Sequence, residues 1–535
     1  MPPDNPLNSP DNRKFALMGR VVSMNDSPII ERGVVYLEKN AIIGVQDFQT
    51  PAPPGFENVP VINTNGIIFP GLIELHNHLS YNLLKLWVVP RKFTNRDQWL
   101  GTPEYRKLIS GPMQVIGKTP ELIAPLVRYV EAKCLFAGVT TSQGIKLFSD
   151  SGITRYYRGN VRNVEEPMDP ALPKAKTKIG DIDPRKVKDF LKDLTATDCL
   201  LYHLSEGTDQ RARKHFLDLQ IKDTNDWALR KSLAAIHATA LEQADFEVLA
   251  RFQAGMIWSP LSNLLLYGDT AKVNFAKEFG IRMGIGADWS PTGSKNLLGE
   301  LKVAHIYSKL NGGIFSDEEI VGMATRNAAE ILGWEKAVGT IEPGKKADLV
   351  VIPDSGTDPY EALIQANEAD IRLVMIDGIP RYGDPALMNA LNISGEDVSV
   401  GGKAKMVFLE QNTSDPAVEP VSLMEARKIL TEALQKLKDY ARELEKPKEE
   451  QALVREGRPE TEVWTLALDD FNDEWRAGNK RSKALQALMS QPLSEILEPM
   501  ELDPLTVVDD EDYLKRIDRQ TNLPEEYKVG LRGMY

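Results

Sequence analysis

Between residues 71 and 336, short apolar runs alternate with amphipathic ones, and this alternation restricts the chain more than any other feature. The runs GLIELHNH, GVTTSQGI, TRYYRGNVRNV, DCLLYHLSE, SLAAIHATA, GMIWSPLSN and IRMGIGADW read as strands. Between them, stretches such as PELIAPLVRYVEAKCLFA, DPRKVKDFLKDL and NLLGELKVAHIYSKL repeat apolar residues at helical spacing. Strands separated by helices pair in parallel and bury both faces under those helices. The span fits a (β/α)8 barrel. Seven strands can be placed. Between Glu165 and Ile182 the segment PMDPALPKAK reads as loop, leaving one strand without a position.

The flanks have a different pattern. Residues 15–70 carry FALMGRVVSM, GVVYLEKNAIIGV and VINTNGIIFPG, and strands return after the barrel as VGTIEP, ADLVVI and IRLVMIDGIPRYGD. A few short strands cannot shield both faces, so the two flanks are expected to combine. This divides the chain into a composite β-sandwich of residues 1–70 and 337–400, a barrel of 71–336, and a mainly helical C-terminal extension of 401–535. In the extension, the apolar stripe along Leu423–Leu444 must dock on something.

Composition removes several function classes. Cys134 and Cys199 are the two cysteines, too few for a disulfide scaffold or a zinc site built on thiolates. A net charge of −13 argues against coating nucleic acid or anionic membrane. The N-terminus has no apolar signal core, and no long apolar run appears. The expectation is a cytoplasmic protein acting on a small molecule, without nucleic-acid or membrane partners. Self-association into a homo-oligomer stays open.

Only six histidines are present, and four sit where barrels keep their chemistry. His76-Asn77-His78 places two imidazoles on one face of a strand. His203 and His237 fall at or near strand C-termini in LLYHLSEG and LAAIHATA, and Asp288 closes MGIGADWSP. Imidazoles with one carboxylate suit zinc or ferrous iron. His215 and His305 lie in helical stretches and read as structural. The segment GTIEPGKK lacks the Ser/Thr and the following helix of a phosphate loop.

The motifs PGLIELHNH, AGVTT, HLSEG, IHATAL, WSPLSNLLLYG, GADWSPTGSKNLLGEL and VGTIEPGKKADLVV make residues 15 to about 385 resemble the amidohydrolase superfamily. The resemblance implies an α/β fold: a distorted (β/α)8 barrel with a small β-sandwich. It implies one divalent metal, zinc with iron as the alternative, held by His76, His78, His203 and Asp288. His237 would be an electrophile beside the metal, or a ligand in two-metal members. Glu206, three residues after His203, matches the proton-shuttling glutamate of the one-metal aminohydrolase branch. Glu74 stands where the commonest motif has Asp. Lys146 is the nearest lysine to the bridging position of two-metal relatives, but it falls on the wrong strand.

The activity so implied is hydrolysis of a non-peptide carbon–nitrogen bond: an amide, a cyclic amide or a ring amine. The alternatives are a deaminase or chlorohydrolase of a heterocycle, and a non-catalytic scaffold of the same fold. Asp288 would accept the proton of water, His237 would stabilise the oxyanion or orient the nucleophile, and Glu206 would protonate the leaving nitrogen. Trp87 and Trp99, in the long segment after His78, together with Trp258, Trp289 and Asn263, are candidates to contact a small planar substrate. The rings after His78 could equally pack that segment onto the barrel.

Overall fold

The computed structural model describes residues 13–222, 224, 226–411, 421–447, 463–468 and 490–535. Strands β1 (Lys14–Val21), β2 (Ile30–Glu38), β3 (Ala41–Asp47) and β4 (Val61–Pro70) come first. The chain then enters β5 (Leu72–Glu74), β6 (Val139–Ser142), β7 (Lys146–Ser149), β8 (Thr154–Tyr156), β9 (Arg162–Asn163) and β10 (Ala175–Lys178). There follow β11 (Cys199–Leu204), β12 (Leu233–His237), β13 (Gly255–Trp258) and β14 (Met283–Ile285).

Eight of these strands form a parallel ring. β5, β6 and β9 pair side by side, as do β10 through β14. One seam is carried by Ala175 N donating to Val164 O at 2.9 Å. The other is carried by Leu75 N to Ile285 O and by the parallel bridge Asn77–Asp288. The strand missing from the sequence reading is β10. Its residues are Ala-Lys-Thr-Lys, with only Ala175 buried, so it has no apolar run to betray it. The run TRYYRGNVRNV divides into two elements. Its first part is β8, which pairs antiparallel with β7 outside the ring, and its last part supplies β9.

After the barrel come β15 (Leu349–Pro353), β16 (Leu373–Ile376), β17 (Ile379–Gly383), β18 (Glu396–Val400) and β19 (Lys403–Val407). The flanks join where β15 pairs antiparallel with β4, Leu349 opposite Pro70. The result is one nine-stranded sheet, not two separate ones, and it runs past residue 400 to Val407. It curls so that Phe15, Leu37 and Ile42 share a core with Leu373, Met375 and Met406. The segment VGTIEP forms bends and a turn rather than a strand.

The C-terminal part covers the barrel. Helices Leu423–Gln435 and Leu437–Glu445 bury Leu430, Leu434 and Leu437, and the first packs on helix Ile123–Phe136. A short strand, β20 (Trp464–Leu466), extends the β7–β8 hairpin. Residues 490–535 hold the segment that follows β5 by its backbone. Asp503 N donates to Leu83 O, Arg516 reaches Leu86 O, and Gln520 bonds both Trp87 O and Val89 N. Among the described residues no helix is long and apolar enough to cross a membrane.

Candidate active site

The candidate ligands meet at the C-terminal end of the ring. Asn77 bridges Asp288 across β5 and β14, so His76 and His78 on either side of it turn the same way. This approach needs Gly286, because a Cβ there would lie 2.5 Å from both the amide nitrogen and the carbonyl oxygen of His76. The buried Glu74 ties the two strand ends together. Its Oε2 accepts from Asn77 Nδ2 at 2.7 Å and its Oε1 from the Ala287 amide, while burial pushes its carboxyl up to about 7. His237 and Asp288 both have φ of +68°, a region that non-glycine residues rarely occupy. Such strain concentrates where a fold must aim a side chain.

His76 Nε2 lies 3.0 Å from Asp288 Oδ1, His78 Nε2 lies 3.5 Å from the same oxygen, and His203 Nε2 is 3.3 Å from His78 Nε2. Burial pushes the pKa of His76 and of His203 down, which keeps both imidazoles neutral.

The proton positions follow from the neighbours. Gln143 Oε1 accepts from the Asn77 amide and faces His76 Nδ1 at 3.2 Å, and its Nε2 donates to Thr177. An amide oxygen only accepts, so the His76 proton sits on Nδ1 and Nε2 keeps its lone pair. That buried nitrogen has no hydrogen-bond partner and confronts a carboxylate oxygen. Two acceptors pressed together away from water repel unless a cation lies between them. The two groups His76, His78, His203 and His76, His237, Asp288, each with ligand atoms within 4.8 Å of one another, therefore fit a divalent metal.

Asp288 Oδ2 accepts from Ser262 Oγ at 2.6 Å, leaving Oδ1 for the histidines. His237 Nδ1 faces Asn263 Oδ1 at 3.0 Å, and Asn263 Nδ2 donates to Thr270 Oγ1. By the same logic the His237 proton sits on Nδ1, and Nε2 faces the site as an acceptor. Glu206 Oε2 is 3.8 Å from His237 Nε2 and 3.9 Å from Arg96 Nη1, while Glu206 Oε1 accepts from Tyr267 Oη at 2.6 Å. The pocket over these groups is walled by Tyr81, Arg96, Trp99, Leu100, Ile179 and Trp289.

Known proteins resemble this chain in sequence and fold. The family model described as the amidohydrolase family matches residues 204–380. A 5-methylthioadenosine/S-adenosylhomocysteine deaminase of Desulforudis audaxviator is 31% identical over 371 residues, covering 62% of this chain and 85% of its own length. The chain belongs to the amidohydrolase family. It is a metal-dependent hydrolase acting on carbon–nitrogen bonds other than peptide bonds. A second deaminase of the same name, from Symbiobacterium thermophilum, is 25% identical over 414 residues, covering 68% of this chain and 92% of its own. Atrazine chlorohydrolase from Arthrobacter aurescens, solved with zinc, shares the fold at a TM-score of 0.53 and 18% identity, over 68% of this chain and 94% of its own.

In this amidohydrolase the sequence-predicted substrate contacts separate into two groups. Trp99 and Trp289 line the pocket. Trp258 does not: it is fully buried, its Nε1 donates to Thr270 Oγ1, and its ring packs on Tyr307. Asn263 likewise stands behind His237 rather than in the pocket and orients that imidazole, while Trp258 shares the Thr270 hydroxyl with it. Trp87 is buried against Phe93 and Tyr105, rings of its own segment, and does not line the pocket. Lys146 opens β7 and belongs to the outlying hairpin. Sequence reasoning missed Gln143 and Tyr267. The first stands one residue beyond β6 and the second ends helix Pro260–Tyr267, and neither carries a local signal of its partner.

Proposed function

We propose that the protein deaminates a small aromatic heterocycle, replacing a ring amine with oxygen. Aminopurine nucleosides are the first substrate class to test. One divalent cation, zinc, would be held by His76, His78, His203 and Asp288. The observation that carries the reading is Glu206, whose Oε2 lies 3.8 Å from His237 Nε2 in a pocket that Asp288 also lines. An amine leaves poorly as an anion and well as ammonia, so a carboxylic acid within reach of it decides the reaction. Trp99, Trp289 and Tyr81 give the pocket flat apolar walls suited to a ring. The names of the two deaminase relatives point to a 6-aminopurine nucleoside.

When bound, the cation supplies the Lewis acidity that lets water act as a nucleophile near neutral pH. Asp288, anchored through Oδ2 by Ser262, receives the proton that water gives up as it attacks the ring carbon. His237 offers Nε2 as an acceptor and so orients that water; its tautomer favours this role over stabilising an oxyanion. Glu206, protonated at the start of the cycle, passes a proton from Oε2 to the exocyclic nitrogen, which departs as ammonia as the C–N bond breaks. The proton taken up by Asp288 restores the acid.

The test is ammonia release from adenosine, 5-methylthioadenosine and guanine, beside chromatographic detection of ring opening in simple cyclic amides. The expected result is turnover of an aminopurine that falls about 10²–10⁴-fold in Glu206→Gln. Cleavage of the cyclic amides with every ring amine untouched would refute the reading.

A further inference from the structure

The structure assigns Tyr267 as the positioning residue that holds Glu206 for proton delivery, and Trp99 as the residue that ties this hold to the segment across the barrel mouth. The inference rests on the proposed role of Glu206 as proton donor to the leaving nitrogen.

Trp99 Nε1 lies 2.9 Å from Tyr267 Oη, and an indole nitrogen can only donate. The phenol oxygen therefore accepts from Trp99, and its single proton is directed to Glu206 Oε1 at 2.6 Å. Both rings are buried, so no bulk water competes for these groups. With Oε1 engaged, the other carboxylate oxygen is the one left to carry a proton. Oε2 has His237 Nε2 at 3.8 Å and Arg96 Nη1 at 3.9 Å, both beyond hydrogen-bond distance, and it borders the pocket. Proton transfer moves H⁺ from Oε2 to the nitrogen and leaves a carboxylate whose Oε1 is still held by Tyr267.

The mouth segment is stitched to the Glu206 loop at the point where this relay needs it. Asn95 bridges Gly207, and Thr94 Oγ1 and Asn95 Nδ2 both donate to Asp209 Oδ2, at 2.8 and 2.6 Å. Gly207 has φ of +137°, and a Cβ there would lie 2.4 Å from Thr94 O. The short helix Arg96–Trp99 starts directly after this stitch and brings Trp99 onto Tyr267 while its ring lines the pocket. The residue that meets the substrate thus also fixes the phenol that orients the acid.

The experiment compares Tyr267→Phe, Trp99→Phe and Glu206→Gln on adenosine and on 6-chloropurine riboside. Chloride leaves without a proton, so a defect in proton delivery falls on the amine alone. Tyr267→Phe is expected to lower kcat on adenosine by about 10-fold or more, a part of the full general-acid contribution. KM, metal content and kcat on the chloro compound are expected to stay within about threefold. Trp99→Phe, which also alters the pocket wall, should raise KM on both substrates and add a smaller amine-specific fall in kcat. A structure of Tyr267→Phe should show the Glu206 carboxylate turned from its wild-type position. Equal loss on both substrates, or an unmoved Glu206 with undiminished amine turnover, would overturn the inference alone. Retained amine turnover in Glu206→Gln would instead overturn the role on which it rests.

Discussion

Replacing Asp503 with alanine leaves two buried lysines short of a partner. Asp503 Oδ2 lies 2.5 Å from Lys133 Nζ and Oδ1 lies 2.6 Å from Lys295 Nζ, with no side chain of the three more than 3% exposed. Lys295 would keep Asp510 at 2.8 Å, whereas Lys133 would keep the carbonyl of Asn82. Burial already pushes Lys133 down to about 8 against the pull of Asp503. Shedding that proton at pH 7 costs at least ~1.4 kcal/mol. The charged hydrogen bond lost at Lys295 is worth a further ~1.5 kcal/mol. The expected loss is therefore about 3 kcal/mol, at the lower end for one-sided removal of a buried ion pair.

Urea unfolding of the metal-loaded enzyme at pH 7, followed by tryptophan fluorescence, measures the loss. Removing both charges in Lys133→Met/Asp503→Leu should recover at least half, because Lys295 still has Asp510. A loss below about 1 kcal/mol for Asp503→Ala, the size of an exposed pair, would refute the reasoning. The pH dependence has a definite sign. Burial raises the Asp503 carboxyl, but Lys133 and Lys295 outweigh it and hold its pKa below the ordinary 3.8. Its stabilisation is present above that value and fades as pH falls through the lower folded one. The gap between wild type and Asp503→Asn should close in that acid range.

Gln143→Ala frees the His76 tautomer and should weaken metal affinity about 10–100-fold, read by competition with a chelator. Gly286→Ala drives a methyl into the His76 backbone; thermal unfolding should show a cost of ~1–3 kcal/mol together with reduced metal retention. Trp289→Ala and Trp87→Ala should diverge: the first raises KM about 2–10-fold through lost ring contact, and the second costs ~3–5 kcal/mol of stability with KM unchanged.

What could be read from the sequence was what local pattern controls. His76-Asn77-His78 has the two-residue period of a strand, and His203, His237 and Asp288 mark strand ends, so their convergence needs only the barrel to form. The strand β10 escaped because Lys176 and Lys178 interrupt any apolar signal. Trp258 and Asn263 lie behind the pocket rather than in it. Position at a strand end does not say whether a side chain enters the pocket or turns behind a histidine. Tyr267 lies far along the chain from Glu206, and only the curvature of the ring brings them together. The β-sandwich became one curled sheet because β4 and β15 pair directly, a register that strand propensity does not encode.

A bound metal is the central requirement of the proposed chemistry. Elemental analysis of the purified protein, run beside His203→Ala and Asp288→Ala and paired with ammonia release from an aminopurine, tests it in one measurement. The prediction is about one equivalent of zinc per chain, lost from both variants together with turnover. Metal-free protein that still releases ammonia, or variants that keep full occupancy, would contradict it.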